Sequence, residues 1–266
     1  MRVAYFDCIA GITGDMALAA LIDAGVDLET LKGHLASLPL GPLELEIAEV
    51  EERGIRATRV DVRTSASGVI RTYASVRALL DGGDLPEGAL RLAHRIFRRM
   101  AEAEARVHRK DLEAVTFHAG AGVDAVVDVV GTALGLTMLR VDRVFSSAVP
   151  TGLGMARTEH GAMPIPSPTV VELLRGAPLF SRGVAAELTT ATGAAILAAT
   201  VEGFGELPPL RVEAVGYGAG TQRLEFPNVL RVLVGEEEPA SSLPGEPQEP
   251  ELRLVRSSPE PTEDAG

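Results

Sequence analysis

Apolar residues dominate Arg2 to Phe6 (R-V-A-Y-F), predicting a short buried strand. The Ala/Leu-rich stretch from Met16 to Ala24 predicts a helix. Asp27 to Leu38 reads as a second helix that ends before Pro39. Leu43 to Glu51 alternates apolar and acidic residues. After the Glu52-Arg53-Gly54 turn, Ile55 to Arg63 alternates again, so an antiparallel hairpin is expected near residues 43–63, with one face solvated. A flexible connection, Ser65 to Gly68, leads to a helix at Tyr73 to Leu80, stopped by Asp81-Gly82-Gly83-Asp84. Glu87 to His108 carries an apolar stripe of Leu90, Ala93, Ile96, Phe97 and Met100. Arg91, Arg95, Arg98 and Arg99 lie mostly on the other side, as on a solvated helix face.

The second half is more apolar and more punctuated. Val123 to Leu139 predicts a buried helix, and the four-residue spacing of Gly131 and Gly135 suggests close packing. Arg143 to Val149 reads as a strand, Pro150 to Pro168 as a long Gly/Pro-rich loop, and Val170 to Arg175 as a helix. A short strand is expected at Val184 to Leu188 and a helix at Ala194 to Val201. Leu210 to Val215 and Asn228 to Val234 predict strands, separated by a Gly216-Tyr217-Gly218-Ala219-Gly220 loop or bulged turn. The sum is a mixed α/β (α+β) fold with helices packed on a mixed sheet.

Composition adds limits. With 46% hydrophobic residues in 266, a substantial core is available. Only 4% are aromatic and Trp is absent, so Ala, Val and Leu must build it. From Glu236 onward there are nine acids and two bases, −7 of the total −12, interspersed with prolines. Residues 1–235 are therefore read as the ordered region, and 236–266 as an acidic, Pro-rich disordered tail or linker. The negative charge argues against a nucleic-acid partner. A single cysteine, Cys8, excludes an internal disulfide and suits a reducing cytoplasm. No secretory signal and no membrane span are expected.

Four stretches carry candidate chemistry. Asp7 to Met16 places Asp7, Cys8, Gly11, Thr13, Gly14 and Asp15 in a strand-to-helix turn. The free N–H groups there suit an anion, but two aspartates call for a cation or a protonated ligand; helix capping is the plainer alternative. No Gly-Lys-Ser/Thr follows, so this is not a Walker loop. Next, His118 precedes a helix whose Asp124 and Asp128, four apart, share one face. Two acids on an apolar helix call for a partner: a metal ion, an arginine or a ligand hydroxyl. Nitrogen and oxygen donors suit nickel, zinc or manganese better than calcium. The third is His160, in the Gly/Pro-rich loop. The fourth is Glu187 to Gly193, where Thr189, Thr190 and Gly193 would cradle a phosphate or simply cap a helix. Cys8 and His118 also form a conceivable nucleophile and base, without support from their spacing.

Five stretches, in order, resemble the N-terminal half of the LarC family of nickel-insertion proteins, across about residues 1–235. They are Phe6-Asp7-Cys8 with Gly11-Ile12-Thr13-Gly14-Asp15-Met16; Val123-Asp124 with Val127-Asp128-Val129-Val130-Gly131; Pro150-Thr151-Gly152-Leu153-Gly154 with His160-Gly161 and Pro164-Ile165-Pro166; Glu187-Leu188-Thr189-Thr190 with Thr192-Gly193-Ala194-Ala195; and Gly216-Tyr217-Gly218-Ala219-Gly220 with Pro227-Asn228-Val229-Leu230-Arg231. The resemblance implies a lyase-class nickel chelatase that inserts nickel into a pyridinium bisthiocarboxylate mononucleotide. Two Ni–S bonds and one Ni–C bond form, and CTP is consumed. CTP with Mg or Mn would be bound by a C-terminal half, here a separate partner chain or frameshifted product. A homo-oligomer is left open.

On that reading Asp7, Asp15, His118, Asp128 and His160 are expected to hold metal. His118 and Asp124 would serve catalysis, with His118 as the base. Gly11, Thr13, Gly14, Thr189, Thr190 and Gly193 would contact the nucleotide. The family's His-Phe-His-Glu-Val-Gly run reads Thr116-Phe117-His118-Ala119-Gly120-Ala121 here, which removes one histidine and the glutamate. A non-catalytic nickel carrier or partner-binding module is therefore an alternative. A metal-dependent enzyme acting on a phosphorylated small molecule is another.

Overall fold

The structure is a computed structural model describing residues 1–64, 71–117, 122–158 and 161–239. The Ser65 to Gly68 connection, His118, His160 and the tail past residue 239 lie outside the described residues. The strands are β1 (Arg2–Asp7), β2 (Leu43–Glu52), β3 (Ile55–Thr64), β4 (Arg71–Thr72), β5 (Thr116–Phe117), β6 (Arg143–Ser146), β7 (Val149–Thr151), β8 (Met155–Thr158), β9 (Gly161–Pro164), β10 (Leu179–Ser181), β11 (Val201–Phe204), β12 (Leu210–Ala219) and β13 (Val229–Glu237). The helices are α1 (Gly14–Asp23), α2 (Leu28–Ala36), α3 (Tyr73–Asp81), α4 (Glu87–His108), α5 (Val123–Met138), α6 (Pro168–Leu173) and α7 (Ala191–Thr200).

Seven strands form one mixed sheet in the order β11-β6-β1-β13-β12-β3-β2. β1 pairs parallel with β6 and antiparallel with β13. The expected hairpin is β2 and β3, in register from Leu43↔Thr64 to Glu52↔Ile55. Helix α1 packs on β12 and β3, α5 packs on α1, and α4 packs on α5, α6 and α7. One continuous core runs through these layers, from Ala4 and Phe6 of β1 to Phe97 and Met100 of α4. Phe117 of β5 sits edge-on to Tyr73, with ring centroids 6.5 Å apart, and against Phe97. That aromatic knot joins the start of α3 to the middle of α4.

Several expectations change. Gly216 to Ala219 is the end of β12, not a loop. A Cβ on Gly216 would sit 1.9 Å from the Ala20 carbonyl oxygen, and one on Gly218 1.9 Å from that of Met16. The alternate glycines thus clear one strand face for the backbone of α1. Val184 to Leu188 is irregular, and the nearby strand is β10. The run from Arg143 to Val149 breaks into β6 and β7, and the Pro150 to Pro168 segment contains the β8–β9 hairpin. These strands of three or four residues leave no alternation to read. β13 continues through Glu237, two residues beyond the expected end of the ordered region. Gly131 and Gly135 do mark close packing: Leu18 and Leu21 of α1 lie where a Cβ would go.

Candidate functional site

Helices α1, α5, α6 and α7 begin at one cavity of about 640 Å³. Thr13 caps α1, its hydroxyl accepting from the Met16 N–H at 3.4 Å, and Thr190 caps α7 by accepting from the Gly193 N–H at 3.3 Å. Gly122 precedes α5 without a side-chain cap. The turns before α1 and α7 are joined backbone to backbone: Ile12 bridges Thr189, and the Thr190 N–H donates to the Ile12 carbonyl at 3.1 Å. Gly11 and Gly193 make this approach possible. Their Cβ atoms would lie 2.0 Å from the Leu188 oxygen and 2.2 Å from the Ile12 oxygen. Thr189 is buried and donates its hydroxyl to the Pro150 carbonyl at 2.9 Å. Of the six residues expected to contact nucleotide, Thr13, Gly14 and Thr190 line the cavity; Gly11, Thr189 and Gly193 do not, and instead join the turns before α1 and α7.

Asp15, Asp124 and Asp128 all line this cavity, with Glu187. Asp15 lies in the first turn of α1 and Asp124 in that of α5, where a helix's positive end favours a carboxylate. Burial nevertheless raises the Asp15 carboxyl above its ordinary range, against the Thr13 hydrogen bond. Asp128 is one turn further along α5 and only 9% exposed. Burial, then the charges of Asp15 and Asp124, push it well above the usual carboxylate range. Its Oδ1 has no hydrogen-bond partner among the described residues. A Cβ on Gly14 would fall 2.6 Å from Asp128 Oδ2, so the glycine is what admits this carboxylate against α1. Glu187 is also raised, by burial alone.

Asp7 does not join this group. It ends β1 opposite Arg231 in the sheet register, and that guanidinium holds its Oδ2 with Nη2 at 2.5 Å and Nε at 3.0 Å. Cys8 is buried beside Ser146, and burial pushes its thiol up to about 12, which removes it as a nucleophile near neutral pH. No three or more His, Cys, Asp or Glu groups among the described residues stand at metal-holding geometry. His118 and His160 fall outside those residues.

Cavity groups not singled out from sequence include Arg157 of β8 and Glu104 and His108 of α4; the last two carried a signal. The stripe through Ala93, Phe97 and Met100 lands next on Glu104 and then His108, at four-residue steps on the buried face.

The cavity therefore brings helix N-termini together with one buried carboxyl, Asp128, a half-buried one, Asp15, and an exposed one, Asp124. The chain belongs to the family described as nickel insertion protein, whose model matches residues 4–252. It is 47% identical over 238 residues to a Citrifermentans bemidjiense protein and 48% over 238 to one from Geobacter sp. strain M21. Both are provisionally named nickel insertion proteins, and each match covers 89% of this chain and 62% of the relative. It is 42% identical over 236 residues to the pyridinium-3,5-bisthiocarboxylic acid mononucleotide nickel insertion protein of Desulfitobacterium hafniense, covering 89% of this chain and 59% of that protein. The chain thus spans about six-tenths of the length of these relatives. No solved structure matches it.

Proposed function

We propose that the cavity receives Ni²⁺ as cargo for insertion into a pyridinium bisthiocarboxylate mononucleotide, a step in nickel-pincer cofactor biosynthesis. The observation carrying this is Asp128, a buried carboxyl with an unpartnered oxygen on the cavity wall beside two more carboxylates. Ionising Asp128 inside the protein next to the charges of Asp15 and Asp124 is costly without a cation, and a cation offsets that cost. Oxygen donors alone discriminate poorly among divalent ions, so the choice of nickel rests on the family and on imidazole donors completing the site. His118 and His160 are the candidates for those donors. Asp7 is better assigned to the sheet, as the partner of Arg231 at the end of the interior strand β1.

The mononucleotide lies along the cavity with its phosphate toward the cap of α7, where backbone N–H groups and the Thr190 hydroxyl suit an anion. Nickel held by Asp128 together with imidazole donors then faces the thiocarboxylate sulfurs. CTP with Mg or Mn is handled by the part of the relatives that this chain does not span, supplied as a partner. The chain is the nickel-loading half of a lyase-class chelatase acting in the cytoplasm.

Combining the chain, that partner, CTP, Ni²⁺ and the bisthiocarboxylate mononucleotide tests the reading. Wild type is expected to yield the nickel–carbon product, and Asp128→Ala to lower its rate by at least about tenfold. Full activity of Asp128→Ala contradicts the assignment.

A further inference from the structure

The cavity wall is strongly acidic: Asp15, Glu104, Asp124, Asp128 and Glu187 all line it. Among the described residues, Arg157 is the one lysine or arginine on that wall. It is exposed on β8 and stands opposite Ala162 in the β8–β9 register, so its own hairpin offers it no counter-charge. No ion pair or hydrogen bond reaches its guanidinium from the described residues, the five cavity carboxyls included. Arginines that face carboxylates elsewhere are paired, Arg231 with Asp7 and Arg143 with Glu202 and Glu237.

The β8–β9 hairpin is rooted on the segment that leads into α7. The Leu153 N–H donates to the Val184 carbonyl at 2.8 Å, and the Thr189 hydroxyl donates to the Pro150 carbonyl. A Cβ on Gly152 would sit 1.5 Å from the Ala186 oxygen, so the two backbones touch there. At the base of the hairpin the Ile165 N–H donates back to the Gly154 carbonyl at 2.9 Å. Arg157 and the cap of α7 therefore belong to one frame around the cavity. A guanidinium stays charged throughout the working pH range and presents paired N–H donors to the oxygens of a phosphate or carboxylate. An anion entering so acidic a cavity is repelled unless a fixed cation offsets the field.

We infer that Arg157 is the residue by which this cavity recognises the phosphate monoester of its ligand, with the N-terminus of α7 as the second contact. This deepens the function proposed above and rests on it: with the thiocarboxylates turned to nickel, the phosphate is the anion left for Arg157. The charges then separate along the cavity, the phosphate at Arg157 and α7 and the metal at Asp128. Arg157 thus sets the preference for a nucleotide over the uncharged nucleoside end, and it takes no part in holding the metal.

Isothermal titration of the full chain without nickel compares two probes: the pyridinium bisthiocarboxylate mononucleotide, and the same compound dephosphorylated to the nucleoside. Wild type is expected to bind the nucleotide at least about tenfold more tightly than the nucleoside. Arg157→Gln should weaken nucleotide binding roughly 10–100-fold and leave nucleoside binding within about twofold of wild type. Arg157→Lys keeps the charge without the planar fork and should fall between the two. Equilibrium dialysis of Ni²⁺ against the same proteins should give Arg157→Gln an affinity equal to or above wild type, since a like charge has been removed. Arg157 is exposed, so both variants should melt with wild type, and a loss of binding is then not a loss of fold. Unchanged nucleotide affinity in Arg157→Gln overturns the inference. An equal loss for both probes overturns it too, because Arg157 would then read another part of the ligand. A wild type that binds neither probe overturns the proposed function instead.

Discussion

A carboxyl shut into protein beside two other carboxylates favours its neutral form, and Asp128 is in that position. Below its ordinary value near 3.8 it is protonated in both the folded and the unfolded chain and adds no pH dependence. As the pH rises past that value, the unfolded chain gains the ionised form and the folded chain does not, so stability falls until the raised folded pKa is passed. Asp128→Asn removes this loss. In thermal melts without metal the variant should gain about 1 kcal/mol at pH 7, roughly 2–4 °C in Tm, and less at pH 4. A variant less stable than wild type at pH 7 would show that Asp128 is a structural anchor. Cys8 allows a second residue-scale check. With its thiol raised to about 12 and buried, native protein should react with a thiol reagent at least about a hundredfold more slowly than protein in denaturant. Fast native labelling would mean that the β1–α1 turn opens readily.

At the scale of elements, the close approach of α1 to β12 is the most sensitive joint. Gly218→Val would push a branched side chain into the Met16 carbonyl and should cost at least about 1–3 kcal/mol, or block folding. Gly131→Ala meets only the flexible end of Leu18 and should cost less. Denaturant midpoints for the two variants would reverse this order if the glycines were incidental. The same joint shows why some elements were legible in the sequence and others were not. The β2–β3 hairpin and the helices α3, α4 and α5 follow from local periodicity, which the chain carries within each element. Gly216 to Gly220 looks like a loop because the reason for its glycines is a helix almost 200 residues away. The site divides the same way. Asp124 and Asp128 read as a pair from their spacing. That Asp15 would join them, and that Asp7 would turn to Arg231, depends on which helix face meets which. Glu104 and His108 interrupt no local pattern strongly enough to stand out, although they continue the buried stripe of α4.

At the scale of the whole molecule, the sheet supports stacked helices, and the N-termini of α1, α5, α6 and α7 open on a shared acidic cavity. Proton release from Asp128 must accompany cation binding there, so affinity should rise as the pH is raised. The most direct measurement is equilibrium dialysis of Ni²⁺ against the full chain at pH 7, with Asp15→Asn, Asp124→Asn and Asp128→Asn alongside. The cavity as cargo site predicts stoichiometric nickel binding in wild type. Affinity should fall at least about tenfold in Asp128→Asn, a loss of roughly 1.4 kcal/mol, and should rise in wild type between pH 6 and pH 8. Nickel binding that is equally tight in all three variants would contradict it.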